Sequence, residues 1–396
     1  MIWRLALAAI LTAALSLFAL STPHAQFNGC PAGFCNPPSA SAPASYTGPL
    51  DIVSSNVVGC WALRACSAAA RGTAAINACN LGDAACADVL TDASTGQLPA
   101  GVLTIGGTPC TVTVSSGTYS SVTGGVVLTT ATSSGLASGN SFAEILTGTG
   151  SISSLNNQFV AIAGTTGTTI TFTAASGLTL TITGGVVSFC TGKIIYDQSG
   201  ALACGGSTAC NLVQATIASR SILQANCINT TFRCLSITGG EGYNSANSLP
   251  TITQPYTQSL VAYTDATNSH SNTIFSSSAG GDLFGLHANN NAQGAIFNGA
   301  YGTWTANDNA WNAMGVVGNA ASSIYNNNGT AGTPSGNPGT TPPSGTMQMG
   351  YYTGAPTLNF NGFFVEGVFW KAGNSATQLN NVVSNQRGSA NAGWNF

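Results

Sequence analysis

The chain has 396 residues, enough for one large or two medium domains, with 8 Lys and Arg against 11 Asp and Glu and a net charge of −3. Charged residues are 5% of the chain, against about 25% in an average soluble protein, so no basic surface is available to steer it to nucleic acid. The 44% hydrophobic share is enough for a core and excludes disorder over most of the length.

The opening "MIWRLALAAILTAALSLFALSTPHAQ" reads as a secretory signal over residues 1–25. Arg4 supplies the positive region, Leu5 to Leu20 the apolar run, and cleavage follows Ala25, with Pro23 departing from the small-x-small rule. A membrane anchor is the alternative. No later segment reaches the roughly 18 uninterrupted apolar residues of a spanning helix. The mature chain is therefore expected to lack a membrane span and to be secreted, periplasmic or at the cell surface. Residues 26–48 are Pro- and Ser-rich and read as a linker.

Twelve cysteines in an oxidising compartment make disulfides the default. Cys30–Cys35 and Cys204–Cys210 are the expected local pairs; the remaining connectivity is left open. No pair has C-x2-C spacing and no His lies among the mature cysteines, so no metal site is expected, and no cofactor.

Farther along, the Ala-rich run to about residue 90 suggests a strand followed by a short helix. From about 100 to 187, "TVTVSSGTYSSVTGGVVLTT" and "TTITFTAASGLTLTITGGVVSF" alternate β-branched and polar residues between glycines, the pattern of hairpins. The repeated "TGGVV" hints at internal duplication, and Glu144 is the segment's one charged side chain. This is expected to be a small β module inserted in a larger domain. Beyond residue 188, short aromatic or alternating segments bounded by Asn, Gly and Ser fit an antiparallel β-sandwich. Residues 326–345 read as a long exposed Pro/Gly loop.

The order "PLDIVSSNVVGCWALRAC", "FCTGKIIYDQSG" with "NLVQA", "GGEGYNSANS", "SLVAYTDAT" and "NFNGFFVEGVFW" resembles the catalytic domain of α-L-arabinofuranosidase B, the family 54 type of glycoside hydrolase. The resemblance covers about 49–90 and 188–390. It implies an all-β fold, a concanavalin A-like antiparallel β-sandwich or jelly roll over 49–396, interrupted by the module at about 100–187. It also implies a partner, arabinose-containing polysaccharide, and retaining hydrolysis by two carboxylates about 5–5.5 Å apart. At the family's catalytic positions this chain reads Ala288 and Gly354, beside an Asn289 that keeps a family Asn. The family's early cysteine is Leu50 here, which leaves Cys60 to pair elsewhere, with Cys66 as the candidate.

A two-carboxylate mechanism then has Asp282 and Glu366 as candidates. The competing readings are a strand-end acid for Asp282 and, by resemblance to non-catalytic sandwiches, a hydrogen-bond network for Glu366. Trp304 and Tyr352 are candidates for stacking on a sugar ring, with core packing as the alternative for Trp304. Asn-rich stretches such as "HANNNAQG" and "YNNNG" suit either sugar hydroxyls or turns. In the family fingerprint, Tyr196, Asp197, Gln198 and Gly200 are expected to build a turn. Two functions follow: a hydrolase of arabinofuranosides, or a catalytically silent lectin-like sandwich.

Overall fold

The computed structural model describes most of residues 57–387 together with Trp394. Residues 1–56, 67–69, 81–84, 132–141, 151–157, 265–270, 288–292, 352–358 and 388–393, with some shorter gaps, lie outside the described residues. The fold is all-β: a sandwich with an inserted barrel. The expected signal, the linker and the Cys30–Cys35 pair fall outside the described residues.

Strand Asn361–Trp370 is the centre of the first layer. Strand Tyr256–Thr264 pairs along its whole length on one edge, from Thr257 opposite Trp370 to Thr264 opposite Gly362. On the other edge, Phe232–Thr238 and Val57–Ala62 share it, with Leu235 opposite Phe364 and Cys60 opposite Val368. The layer continues through Trp311–Gly318 on one side and Ile222–Ile228, Cys190–Ile195, Ala74–Cys79 and Cys86–Leu90 on the other. The second layer contains Tyr243–Ser248, Ser344–Met349, Ser271–Ala279, Asp282–His287, Gln293–Asn298 and Tyr301–Thr305. The helix expected before residue 90 is replaced by the hairpin Ala74–Cys79 and Cys86–Leu90. Alanine's helix preference is small, and pairing against Cys190–Ile195 outweighs it.

The layers meet at Phe275, whose ring lies 5.5 Å from Trp61 and 5.7 Å from Phe364. Gly367 lies under this ring: a Cβ there would come within 2.2 Å of it. Val365 is an extra residue in the central strand, because Val261 stands opposite Glu366 while Ala262 stands opposite Phe364. Such a bulge resets the two-residue alternation. Phe364 therefore faces the core while Glu366 points to the other side. That outer side is covered by helix Ala376–Arg387, whose Leu379 and Val383 pack at Gly315. Its start is a reciprocal capping box: Ser375 N–H donates to Gln378 Oε1 and Gln378 N–H to Ser375 Oγ.

The Pro/Gly loop expected at 326–345 is tied down. Ser335 and Thr303 exchange backbone bonds, and the Pro338 carbonyl accepts from the amides of Asn298 and Ala300. In "YNNNG", Asn326 Oδ1 accepts from Gly329 N–H and Asn328 Oδ1 from Ala313 N–H, so these side chains serve the turn.

The inserted module is a closed six-stranded barrel of Thr111–Tyr119, Gly125–Thr130, Phe142–Gly150, Gln158–Thr166, Thr169–Thr173 and Ile182–Ser188. The two "TGGVV" copies flank one strand, Thr111–Tyr119, on its two sides. Val112, Val114, Val126, Leu128, Ile170 and Phe172 form its core, joined by Ile222 from the host sandwich. The Cys110–Cys190 disulfide closes the neck, linking the residues just before the first barrel strand and just after the last. In the chain-entropy account, an 80-residue separation stabilises by about 4.5 kcal/mol. The double variant Cys110→Ser, Cys190→Ser is expected to lose about that much in the barrel. Amide exchange would then show the barrel strands opening before the sandwich strands.

Candidate functional site

The sequence fingerprint forms a junction. Strand Cys190–Ile195 delivers Tyr196 to Gly200 beside two disulfide loops, Cys60–Cys66 and Cys204–Cys210. Both of these pairs were expected from the sequence. Asp197 Oδ1 accepts from the amides of Cys60 and Ser199, each at 2.9 Å, and Oδ2 accepts from Cys210 N–H at 3.0 Å. Gln198 Nε2 donates to the carbonyls of Ala62 and Arg64, and its Oε1 accepts from Cys66 N–H. Gly200 has φ +69°, a left-handed turn position that suits glycine. Burial pushes the Asp197 carboxyl above its ordinary value, while hydrogen bonds from Ser199 and the amides of Cys60 and Cys210 hold it back. The side chain is an acceptor for three backbone donors, which fits the expected turn role. In Asp197→Asn one oxygen becomes an NH2 facing an N–H. A loss of about 1–3 kcal/mol is expected in chemical denaturation.

Tyr196 points outward. Its hydroxyl donates to Asp88 Oδ1 at 2.8 Å, and Asn77 Nδ2 donates to the same oxygen at 2.7 Å. Burial, then the bond and charge of Asp88, push the phenol from 10.0 up to about 12. The folded state thus keeps this proton longer than the unfolded chain. The associated stability is complete below pH 10 and is lost as pH rises through about 12. Asp88→Asn should move the Tyr196 ionisation downward, read at 295 nm as the difference from Tyr196→Phe.

Glu366, a candidate acid, is 1% exposed on the outer side of the central strand. Arg64 Nε contacts its Oε2 at 2.6 Å, Trp394 Nε1 donates to Oε2 at 2.7 Å, and Gln386 Nε2 donates to Oε1 at 3.0 Å. Ser259 Oγ in turn donates to Gln386 Oε1, and the Arg64 guanidinium lies 5.3 Å from the Trp394 ring centroid. Strand, helix and C-terminal segment converge on one carboxylate. This placement supports the network reading of Glu366. Glu366→Gln removes the charge beside a buried guanidinium, and a loss of about 3–5 kcal/mol is expected.

Trp304, a candidate for sugar stacking, is 5% exposed and stacked on Tyr325 at 5.1 Å and 11°. It is a core residue: an indole face covered by a ring is not offered to a ligand, which corrects that expectation. Asn289, Tyr352, Ala288 and Gly354 lie outside the described residues. Asp282 begins strand Asp282–His287 opposite Asn298; nothing of its side chain is described. The backbone relates two relevant strands through a shared neighbour. Strands Asp282–His287 and Ser344–Met349 both pair antiparallel with Ser271–Ala279 and so run parallel to each other. Their last residues, His287 and Met349, stand opposite Ser271 and Phe275, four positions apart along that shared strand.

The face of the second layer opposite the core carries a polar ladder across three strands. Met347 and Met349 are buried in the core, so Gln348 between them points the other way. Gln348 Nε2 donates to Asn244 Oδ1 at 3.2 Å, Ser276 Oγ lies 3.3 Å from Gln348 Oε1, and Ser276 Oγ donates to the Tyr351 carbonyl at 2.9 Å. Ser276 and Gln348 are buried, and Asn244 is the half-buried end. Sequence reading missed this ladder. Its signal was the single Gln between two methionines in "TMQMG", an alternation that marks a polar side chain on the face away from the core. The ladder is a neutral hydrogen-bonding floor. Among the described residues, no group of three His, Cys, Asp or Glu could hold a metal ion. No described helix is long and apolar enough to cross a membrane.

No protein-family model matches the chain, and no curated protein matches it. Solved structures show a remote, low-identity likeness to several β-sandwiches that act on or bind carbohydrate. One is domain 4 of AbnA, a GH43 extracellular arabinanase from Geobacillus stearothermophilus, in complex with arabinotriose. It has 14% identity and a TM-score of 0.30, with 38% of this chain covering 77% of that one. A GH54 α-L-arabinofuranosidase soaked with a cyclic sulfate inhibitor has 14% identity and a TM-score of 0.29, covering 69% of this chain and 62% of that one. The Botulinum neurotoxin serotype D ligand-binding domain in complex with N-acetylneuraminic acid has 16% identity and a TM-score of 0.31, covering 44% and 50%. The chain thus spans under two thirds of the length of the last two.

Proposed function

We propose that the chain is an exported carbohydrate-binding β-sandwich built on an arabinofuranosidase B-like scaffold, without that family's two-carboxylate hydrolysis. On this reading residues 1–25 direct export, 26–48 form a linker and 49–396 form the sandwich with its inserted barrel. The ligand class is arabinose-containing polysaccharide. The supporting observation is the commitment of four of the five carboxylates whose side chains are described. Glu366 is enclosed by Arg64, Gln386 and Trp394, and Asp197 by three amides. Asp92 caps its own turn through Ser94 and Thr95, and Asp88 holds Asn77 and Tyr196. At the open end of the ladder, the half-buried Asn244 instead offers amide chemistry suited to sugar hydroxyls, with the buried Gln348 fixing it from behind.

Affinity electrophoresis in arabinan should retard the protein, and Asn244→Ala should weaken the retardation about tenfold, the worth of one good hydrogen bond. Release of p-nitrophenol from the α-L-arabinofuranoside should be absent. The order of sequence motifs favours the hydrolase as the second reading. Turnover that disappears in Asp282→Asn would establish that reading and overturn the first.

A further inference from the structure

Ten described cysteines form five disulfides, and they are chemically unequal. Eight of the ten residues are 0–2% exposed. Cys86 and Cys227 are the half-buried ones, so Cys79–Cys86 and Cys227–Cys234 are the two bridges with a partly exposed residue. They differ on the opposite sulfur. Arg220 Nη1 lies 3.4 Å from Cys79 Sγ. Arg220 is 4% exposed, and its Nε and Nη2 donate to the carbonyls of Gln214 and Ala215. These bonds fix the guanidinium against the sulfur. At the other bridge, Cys234 is 0% exposed and the Gln224 carbonyl oxygen lies 3.9 Å from Cys227 Sγ.

We propose that Cys79–Cys86 is a thiol-reactive disulfide, a modification site that exchanges with a small external thiol at Cys86. The thiolate of the incoming thiol attacks Cys86 Sγ and forms a mixed disulfide there. The Cys79–Cys86 bond breaks, and its electron pair goes to Cys79 Sγ beside Arg220. A cation next to a sulfur favours its thiolate, and a better thiolate leaves faster in exchange. With a dithiol, the second thiolate attacks the reagent's own sulfur in the mixed disulfide. It leaves as a cyclic disulfide and Cys86 takes up one proton. Two electrons pass to the protein, Cys79 remains a thiolate, and the second proton of the dithiol goes to solvent.

The bridge joins residues that stand directly opposite each other in the hairpin Ala74–Cys79 and Cys86–Leu90. Its opening removes the covalent tie of the outermost strand of the first layer, which carries Asp88 under the Tyr196 hydroxyl.

The test uses the native oxidised protein with limiting glutathione at neutral pH, quenched by alkylation and mapped by peptide mass spectrometry. The glutathione adduct is expected on Cys86, with Cys79 alkylated, forming about tenfold faster than opening at Cys227–Cys234. In Arg220→Gln that preference should fall about tenfold. An adduct on Cys79, or Cys227–Cys234 opening first in the native protein, overturns the proposal. So does an unchanged preference in an Arg220→Gln protein whose circular dichroism matches the native one. Neither the adduct nor its position depends on sugar binding.

Discussion

The first layer depends on one buried charge pair. Arg64 and Glu366 meet at 2.6 Å with both side chains essentially without solvent. Removing two ions from water is expensive and is offset only by close geometry and added hydrogen bonds. The structure supplies these from three directions: Gln386 from the helix, Trp394 from near the C-terminus, and the bulge at Val365 that turns Glu366 outward. Without the bulge, Glu366 would face the Phe275 core. The bulge, the helix position and the location of Trp394 are therefore parts of one arrangement.

A second junction does for the N-terminal strands what this pair does for the C-terminal ones. Asp197 and Gln198 bond to backbone groups of the Cys60–Cys66 loop, and Asp197 also bonds to the Cys204–Cys210 loop. Short disulfide loops have amides that no strand partner can satisfy, and buried amides without partners are costly. A side chain with two acceptor oxygens meets this need in little volume. The two junctions touch at Arg64, whose carbonyl accepts from Gln198 and whose guanidinium meets Glu366. A chain with 5% charged residues has thus placed several of them where backbone geometry would otherwise fail.

Much of the fold was legible in the sequence. Period-2 alternation and Gly punctuation marked both the sandwich and the inserted module; the pair Cys204–Cys210 followed from proximity, and Cys60–Cys66 was what the family resemblance implied. The turn at "YDQSG" was readable because Asp and Gly have fixed turn chemistry. What was not legible depends on three-dimensional pairing. An Ala-rich run reads as helix until a neighbouring strand claims it, as Cys190–Ile195 does with Ala74–Cys79. Trp304 gave no sign that Tyr325, 21 positions away, would cover its face. The terminal helix was hidden by its low hydrophobic contrast, although "SATQ" carries a capping box. The polar ladder needed register: Asn244, Gln348 and Ser276 are far apart in the chain and adjacent only once their strands pair.

The closed neck of the barrel has an evolutionary meaning. Cys110 and Cys190 have Cα atoms 5.3 Å apart, little more than one peptide step of 3.8 Å. To the host sandwich, the whole barrel occupies the space of a tight connection. Such a graft can be acquired, exchanged or excised with adjustment centred where Ile222 of the host packs into the barrel core. The lineage of the barrel can therefore be traced separately from that of the sandwich that carries it.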